Sequence, residues 1–178
     1  LAGLLVLSIY IWRARRKDPQ TNLSFRGVAD LLAPGLILAQ AIGRWGNFFN
    51  QEAYGYETTV PWAMYIDGAY RHPTFLYESL WDLCGFLILM LLWRRWQNRK
   101  EGDIMACYFI FYSCGRFVVE SFRTDSLMLG PFRVAMLISL VGVLAGCLVL
   151  WLNRKYPVRL GGSTAKPQPA AKKQRKKK

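Results

Sequence analysis

The chain has 178 residues and a formal charge of +13, and 53% of its residues are apolar or aromatic, among them seven Trp, ten Phe and nine Tyr. The apolar residues gather into long blocks instead of alternating through the sequence, which excludes an ordinary soluble domain. The basic residues sit between those blocks and not along one face, which argues against a nucleic-acid binder.

In chain order, the first apolar run, Leu1 to Trp12, is shorter than the roughly 20 helical residues needed to cross a hydrocarbon layer about 30 Å thick. It opens without an initiator Met, a basic leader or a small-residue cleavage site. It therefore reads as the end of a truncated span and not as a signal peptide, with further helices expected ahead of it. Four later blocks, residues 29–49, 75–93, 104–122 and 132–152, are long enough to cross. The expected fold is all-α: a polytopic transmembrane helix bundle over residues 1–160, with a partial first span and about four full ones. An outer interfacial loop region and a disordered basic tail over 161–178 complete it.

Charge orients these spans. Arg13, Arg15, Arg16, Lys17 and Arg26 follow the first run, Arg94, Arg95, Arg99 and Lys100 follow the third, and ten more basic residues follow Asn153. The intervening loops, 50–74 and 123–131, hold only Arg71 and Arg123. Basic loops stay inside, so the C-terminus is expected in the cytoplasm and loop 50–74 outside. Tyr54, Tyr56, Trp62, Tyr65 and Tyr70 suit that loop to the outer headgroup region. The Gly-, Pro- and Lys-rich tail cannot bury enough apolar surface to fold, and its lysines are drawn to an anionic leaflet.

The first polar constellation is GRWGNFFNQEAYG, Gly43 to Gly55. An arginine such as Arg44 costs about 3 kcal/mol within a span unless it snorkels or meets an anion. One reading is a phosphate clamp, a guanidinium fork matched to phosphate oxygens, with Gly43 and Gly46 admitting backbone and Asn47, Asn50 and Glu52 adding polar groups. The other is a snorkelling arginine at a helix end.

The second is HPTFLYESLWD, His72 to Asp82. Pro73 suits a first helical turn, and Glu78 and Asp82, spaced i, i+4, repel unless a cation on another helix pairs with them. His72, the sole histidine, is either a proton shuttle or a hydrogen-bonding loop residue. The third is YSCGRFVVESFRTD, Tyr112 to Asp125, in which Tyr112, Arg116, Glu120 and Arg123 form one helical stripe. A polar stripe on an apolar span turns to the bundle interior; an Arg116–Glu120 pair alone would explain only two of the four residues. All three constellations fall at outer span ends and can converge on one site suited to an anionic lipid headgroup.

Cys84, Cys107, Cys114 and Cys147 lie in apolar spans without a CxxC pair or a nearby His, so they read as buried core thiols; neither a disulfide framework nor a metal site is expected.

At these residues the sequence resembles the prolipoprotein diacylglyceryl transferases of bacteria. GRWGNFFNQE is similar to the family's GRxGNFxNxE, HPTFLYE to its HPxxLYE and GRFVVESFR to its GRFxxExxR, in order along roughly residues 25–155. The resemblance implies a transferase of the bacterial plasma (inner) membrane, with its site toward the outer leaflet. It would move a diacylglyceryl group from phosphatidylglycerol to the lipobox cysteine thiol of preprolipoproteins, releasing glycerol phosphate, with no cofactor. It implies that Arg44 and Arg116 serve phospholipid binding and catalysis and that Glu52 and Glu120 fall on family positions; the catalytic roles expected are a phosphate clamp of Arg44 and Arg116 oriented by the two glutamates. It implies substrate-binding roles for Arg44, Asn47, Tyr112, Glu78, Arg123 and His72, and Asp30 and Gly55 also fall on family positions. Two departures stand out: the family's histidine in a His-Gly-Gly segment would precede Leu1, and Phe75 occupies a position often polar in the family. The competing readings are a phospholipid-alcohol phosphotransferase, which needs a denser acidic cluster to hold metal, and a transporter or channel for a lipid or anion, which paired repeats would favour; no repeat is found.

Overall fold

The computed structural model describes residues 2–18, 24–124 and 126–156; the tail expected to be disordered lies outside them. Five helices carry the fold: α1 (Ala2–Lys17), α2 (Phe25–Phe49), α3 (Thr74–Arg95), α4 (Asp103–Glu120) and α5 (Val134–Lys155). α2, α3 and α5 are long and apolar enough to cross a membrane. The block expected as a fourth apolar span differs. α4 has 18 residues but includes Asp103, Arg116 and Glu120, and it packs against α2, α3 and α5. Its neighbours, and not its own hydropathy, accommodate those charges.

The core is Ala33 and Ile37 of α2, Leu89 of α3, and Ile104 and Tyr108 of α4. Large apolar residues elsewhere face outward, among them Leu36, Leu87, Leu140, Leu144 and Leu148. In a bilayer that exposure costs nothing, because the surrounding solvent is itself hydrocarbon. Three cysteines join this outer surface. Cys84, Cys114 and Cys147 are exposed and Cys107 is half-buried, so the expectation of buried thiols is corrected.

Helices in lipid gain little by hiding apolar surface from one another, so close approach must come from small residues. At the α4–α5 contact these are Gly142, which faces Ser113, and Gly146, where an added Cβ would stand 2.8 Å from the Ala106 carbonyl oxygen and 2.7 Å from Ile110 Cγ1. Gly146→Leu should force the pair apart at a cost of about 1–3 kcal/mol, seen as a lower thermal midpoint in detergent; an unchanged midpoint would mean the contact is not tight.

At the basic end of the bundle, two buried polar residues hold the helices in register. Asp30 of α2 accepts from Gly102 N and Met105 N, both at 2.8 Å, and so supplies the entry to α4 that Gly102 cannot cap itself. Asn153 of α5 donates to Asp103 Oδ1 (2.8 Å) and to the Glu101 carbonyl (3.2 Å).

The opposite end carries two hairpins that the all-α expectation did not include. β1 (Met64–Ile66) pairs with β2 (Ala69–Arg71), and β3 (Met128–Leu129) with β4 (Phe132–Arg133), both antiparallel. The first turns at Asp67-Gly68 with φ of 50° and 79°, the backbone that an Asp-Gly pair favours. Trp62, Tyr65 and Tyr70 are about 60% exposed there, as an interfacial segment requires.

Candidate active site

The C-terminal end of α2, the start of α3 and the end of α4 meet at Gly55. Its N–H donates to the His72 carbonyl (3.0 Å), it forms an antiparallel bridge with Arg123, and Tyr56 N donates to the Phe122 carbonyl (3.0 Å). A Cβ on Gly55 would stand 2.7 Å from His72 Cβ and 2.9 Å from the Phe122 carbonyl oxygen. Only glycine lets the strands of all three constellations pass this closely.

Below that crossing lies a charged cluster drawn from three helices. Glu78 of α3, 5% exposed, receives both arginines. Arg44 Nε of α2 lies 2.5 Å from Glu78 Oε2, and Arg116 Nη1 of α4 donates to Glu78 Oε1. Arg116 Nη2 lies 2.7 Å from Glu120 Oε2 along one helix turn. Arg44 Nη2 donates to the Tyr112 hydroxyl at 3.1 Å. Tyr112 in turn stacks on Tyr108 with centroids 5.9 Å apart, and the Tyr108 hydroxyl donates to Gln40 Oε1 at 3.2 Å.

Two arginines and two glutamates balance in charge, so the carboxylates hold the cations in place at a depth where either alone would be costly. Each guanidinium carries five N–H donors, and those not engaged by Glu78, Glu120 or Tyr112 remain for a ligand. Both arginine side chains keep about a fifth of their surface open, against 6% and 2% for the glutamates. The carboxylates thus form the floor and the guanidinium edges the accessible face. Asp82, one turn below Glu78 and 2% exposed, has Oδ2 without a hydrogen-bond partner among the described residues.

The structure brings together Arg44, Glu78, Tyr112, Arg116 and Glu120. Glu52 is not among them: α2 ends at Phe49, Gln51 and Ala53 adopt φ of 55° and 56°, and the exposed Glu52 carboxylate accepts from Asn50 Nδ2 at 3.1 Å. The orienting role expected of Glu52 falls geometrically to Glu78. Asn47 stays one turn beyond Arg44, with its carbonyl accepting from Glu52 N. Arg123 lies past the end of α4, so the helical stripe closes at Glu120. His72 belongs to a separate groove of about 440 Å³ with Trp62, Tyr77, Trp81, Gly115 and Phe122. Its Nδ1 lies 3.0 Å from the Tyr77 hydroxyl, which accepts from Trp62 Nε1 at 2.8 Å. Phe75, the departure from the family motif, fills core space against Trp45 and Phe48.

The model of the prolipoprotein diacylglyceryl transferase family matches residues 1–152. The chain belongs to that family. It is 48% identical over 156 residues to a phosphatidylglycerol–prolipoprotein diacylglyceryl transferase of Thermosynechococcus vestitus, covering 82% of this chain and 56% of the relative. It is 52% identical over 136 residues to a protein of the same name in Clostridioides difficile, covering 75% and 54%. For the Bacillus cytotoxicus relative the values are 48% over 167 residues, 87% and 59%. The chain thus spans little more than half the length of these curated relatives. As a prolipoprotein diacylglyceryl transferase family member, it carries the three family motifs on the helices that build the charged cluster.

Tyr112→Phe removes the hydrogen-bond partner of Arg44 Nη2 while keeping the stack on Tyr108. A hydrogen bond to a charged group contributes about 1.5–3 kcal/mol. The phenylalanine variant should therefore show a lower thermal midpoint in detergent without losing helicity; an unchanged midpoint would show that Arg44 is held by Glu78 alone.

Proposed function

We propose that this chain is part of an enzyme that transfers the diacylglyceryl group of phosphatidylglycerol to the lipobox cysteine thiol of preprolipoproteins. The observation that carries the reading is the pair of arginines, Arg44 and Arg116, gathered from two helices onto Glu78 at one end of the bundle, within the stretch that the family model matches. The relatives' names supply the substrates.

In the proposed reaction the cysteine sulfur attacks the glyceryl carbon that carries the phosphate ester. A C–S bond forms, the C–O bond to phosphate breaks, the pair of electrons leaves with the phosphate oxygen, and the thiol proton is released. Negative charge therefore grows on the departing glycerol phosphate. Guanidinium donors already in position stabilise that charge without reorganising at the moment of reaction. Arg44 and Arg116 hold the phosphate; Glu78 and Glu120 hold the arginines. Tyr112 fixes the Arg44 fork, Asn47 and Arg123 meet the substrate from the outer end, and His72 meets it from its own groove, whereas Glu52, turned outward, takes no part in orienting the arginines. The bundle spans residues 1–160 in a bacterial plasma membrane, with the basic loops and the 161–178 tail on the cytoplasmic side and the charged cluster toward the outer leaflet.

The test is mass spectrometry of a lipobox peptide incubated with phosphatidylglycerol and the full-length protein. A diacylglyceryl mass gain that requires both substrates and disappears when the lipobox cysteine is replaced by serine supports the reading. No gain under conditions where the protein is folded would overturn it.

A further inference from the structure

At the end of the bundle remote from the charged cluster, a cleft of about 580 Å³ opens where α3 and α5 finish. Its lining is Arg95, Trp96, Gln97, Asn98, Lys100 and Arg154: three cations, two amides, one indole and no carboxylate.

Cations at helix C-termini are ordinarily accounted for by the carbonyls there and by the negative end of the dipole. Here other side chains do much of that work. Arg99 Nη1 donates to the Trp93 carbonyl at 2.8 Å and the Trp96 carbonyl at 3.2 Å, closing α3. Lys100 Nζ donates to the Asn153 carbonyl near the end of α5. The Arg95 guanidinium has no carboxylate or carbonyl partner among the described residues, and the contact of Arg154 is the Trp96 ring, 5.2 Å away. The nearby acids are already committed. Asp103 accepts from Lys100 N and Asn153 Nδ2, both at 2.8 Å, Asp30 caps α4, and Glu101 pairs with Ser24.

These bonds fix the 96–103 loop and leave a preformed cationic cleft facing outward. Arg154 lies over the Trp96 ring at the cleft, and Arg99 over Trp93 and Lys155 over Trp151 add cation–π contacts near the ends of α3 and α5, the arrangement of helix ends at headgroup depth. We infer that this cleft binds a phosphate anion, held by Arg95, Arg154 and Lys100 with the Gln97 and Asn98 amides, as presented by an anionic phospholipid headgroup or by free phosphate. The site is distinct from the proposed transfer site and lies at the other end of the helices.

Native mass spectrometry of the full chain in nonionic detergent tests it, with titration of phosphatidylglycerol, phosphatidylcholine and, separately, inorganic phosphate. The expected result is that R95Q/R154Q binds one fewer phosphatidylglycerol than the parent, or binds its weakest-held copy roughly tenfold or more less tightly, since each arginine near an anionic surface contributes about fivefold. The lysine-rich tail is common to both proteins and cancels in the comparison. R95K/R154K, which keeps the charge, should recover most of the binding while both variants keep the parent's helicity. Displacement of the lipid by millimolar inorganic phosphate would assign the cleft to free phosphate, and persistence of the lipid would assign it to the headgroup. Equal occupancy by phosphatidylcholine, or R95Q/R154Q binding phosphatidylglycerol as the parent does, would overturn the inference.

Discussion

Glu78→Gln is expected to cost both stability and the proposed transfer activity, and more of each than any other single change among the acids of the cluster. Glutamine keeps the size and one acceptor oxygen but removes the charge that two arginines share. Glu120 is then the one carboxylate still ion-paired with an arginine of the cluster, and one negative charge between the helices is lost. Breaking a buried ion pair by removing one partner costs about 3–5 kcal/mol; because both arginines retain an open edge, about 2–3 kcal/mol is the better expectation here. For a chain of this size that lowers a thermal midpoint by roughly 5–10 °C. The double variant Glu78→Gln/Arg44→Gln restores the charge balance and should recover part of the midpoint while remaining inactive. Recovery of stability without recovery of transfer separates Glu78's structural role from the proposed role of Arg44 at phosphate. If Glu78→Gln alone melts like the parent, the two arginines are not neutralised through Glu78.

The contrast between Glu78 and Glu52 shows which parts of the site were legible in the sequence. Glu52 stands eight positions from Arg44 in the same GRWGNFFNQE motif, and that shared motif is what points to it as an orienting group. The two positive-φ residues flanking it, Gln51 and Ala53, turn it outward instead, and nothing in their side chains announces that backbone. Glu78 could be read as needing a cation, because Asp82 lies one helical turn away, but which cation depends on how α2, α3 and α4 pack. The Arg116–Glu120 pair was legible because its spacing lies within one helix; the Arg44–Tyr112 bond joins residues 68 apart and was not. The helix extents followed from apolar run lengths. The hairpin at Asp67-Gly68 carries a turn signal in the sequence, but its strands are three residues each and lie within a loop between apolar helices. The tight crossings at Gly55 and Gly146 depend on a neighbouring backbone's approach, which composition does not record.

Arg116→Lys is expected to lose most of the proposed transfer activity with little loss of fold. A lysine keeps the positive charge, so the balance with Glu78 and Glu120 survives and helicity should remain at the parent level. What it loses is the fork. Arg116 uses Nη1 for Glu78 and Nη2 for Glu120 at once, and a single ammonium on a flexible stem cannot hold both and still present a fixed donor to phosphate. Removing one preorganised donor from a developing oxyanion costs about 100- to 1,000-fold in rate. The lysine variant should fall by that order in diacylglyceryl gain on a lipobox peptide, with phosphatidylglycerol binding reduced far less, because charge attraction is retained and transition-state alignment is not. Arg116→Gln should fall at least as far and lose binding as well, since it removes the cation that Glu78 and Glu120 share. A lysine variant with the parent's rate would show that only the charge at this position matters; a glutamine variant with the parent's rate would remove Arg116 from the phosphate clamp and leave Arg44 as the sole candidate.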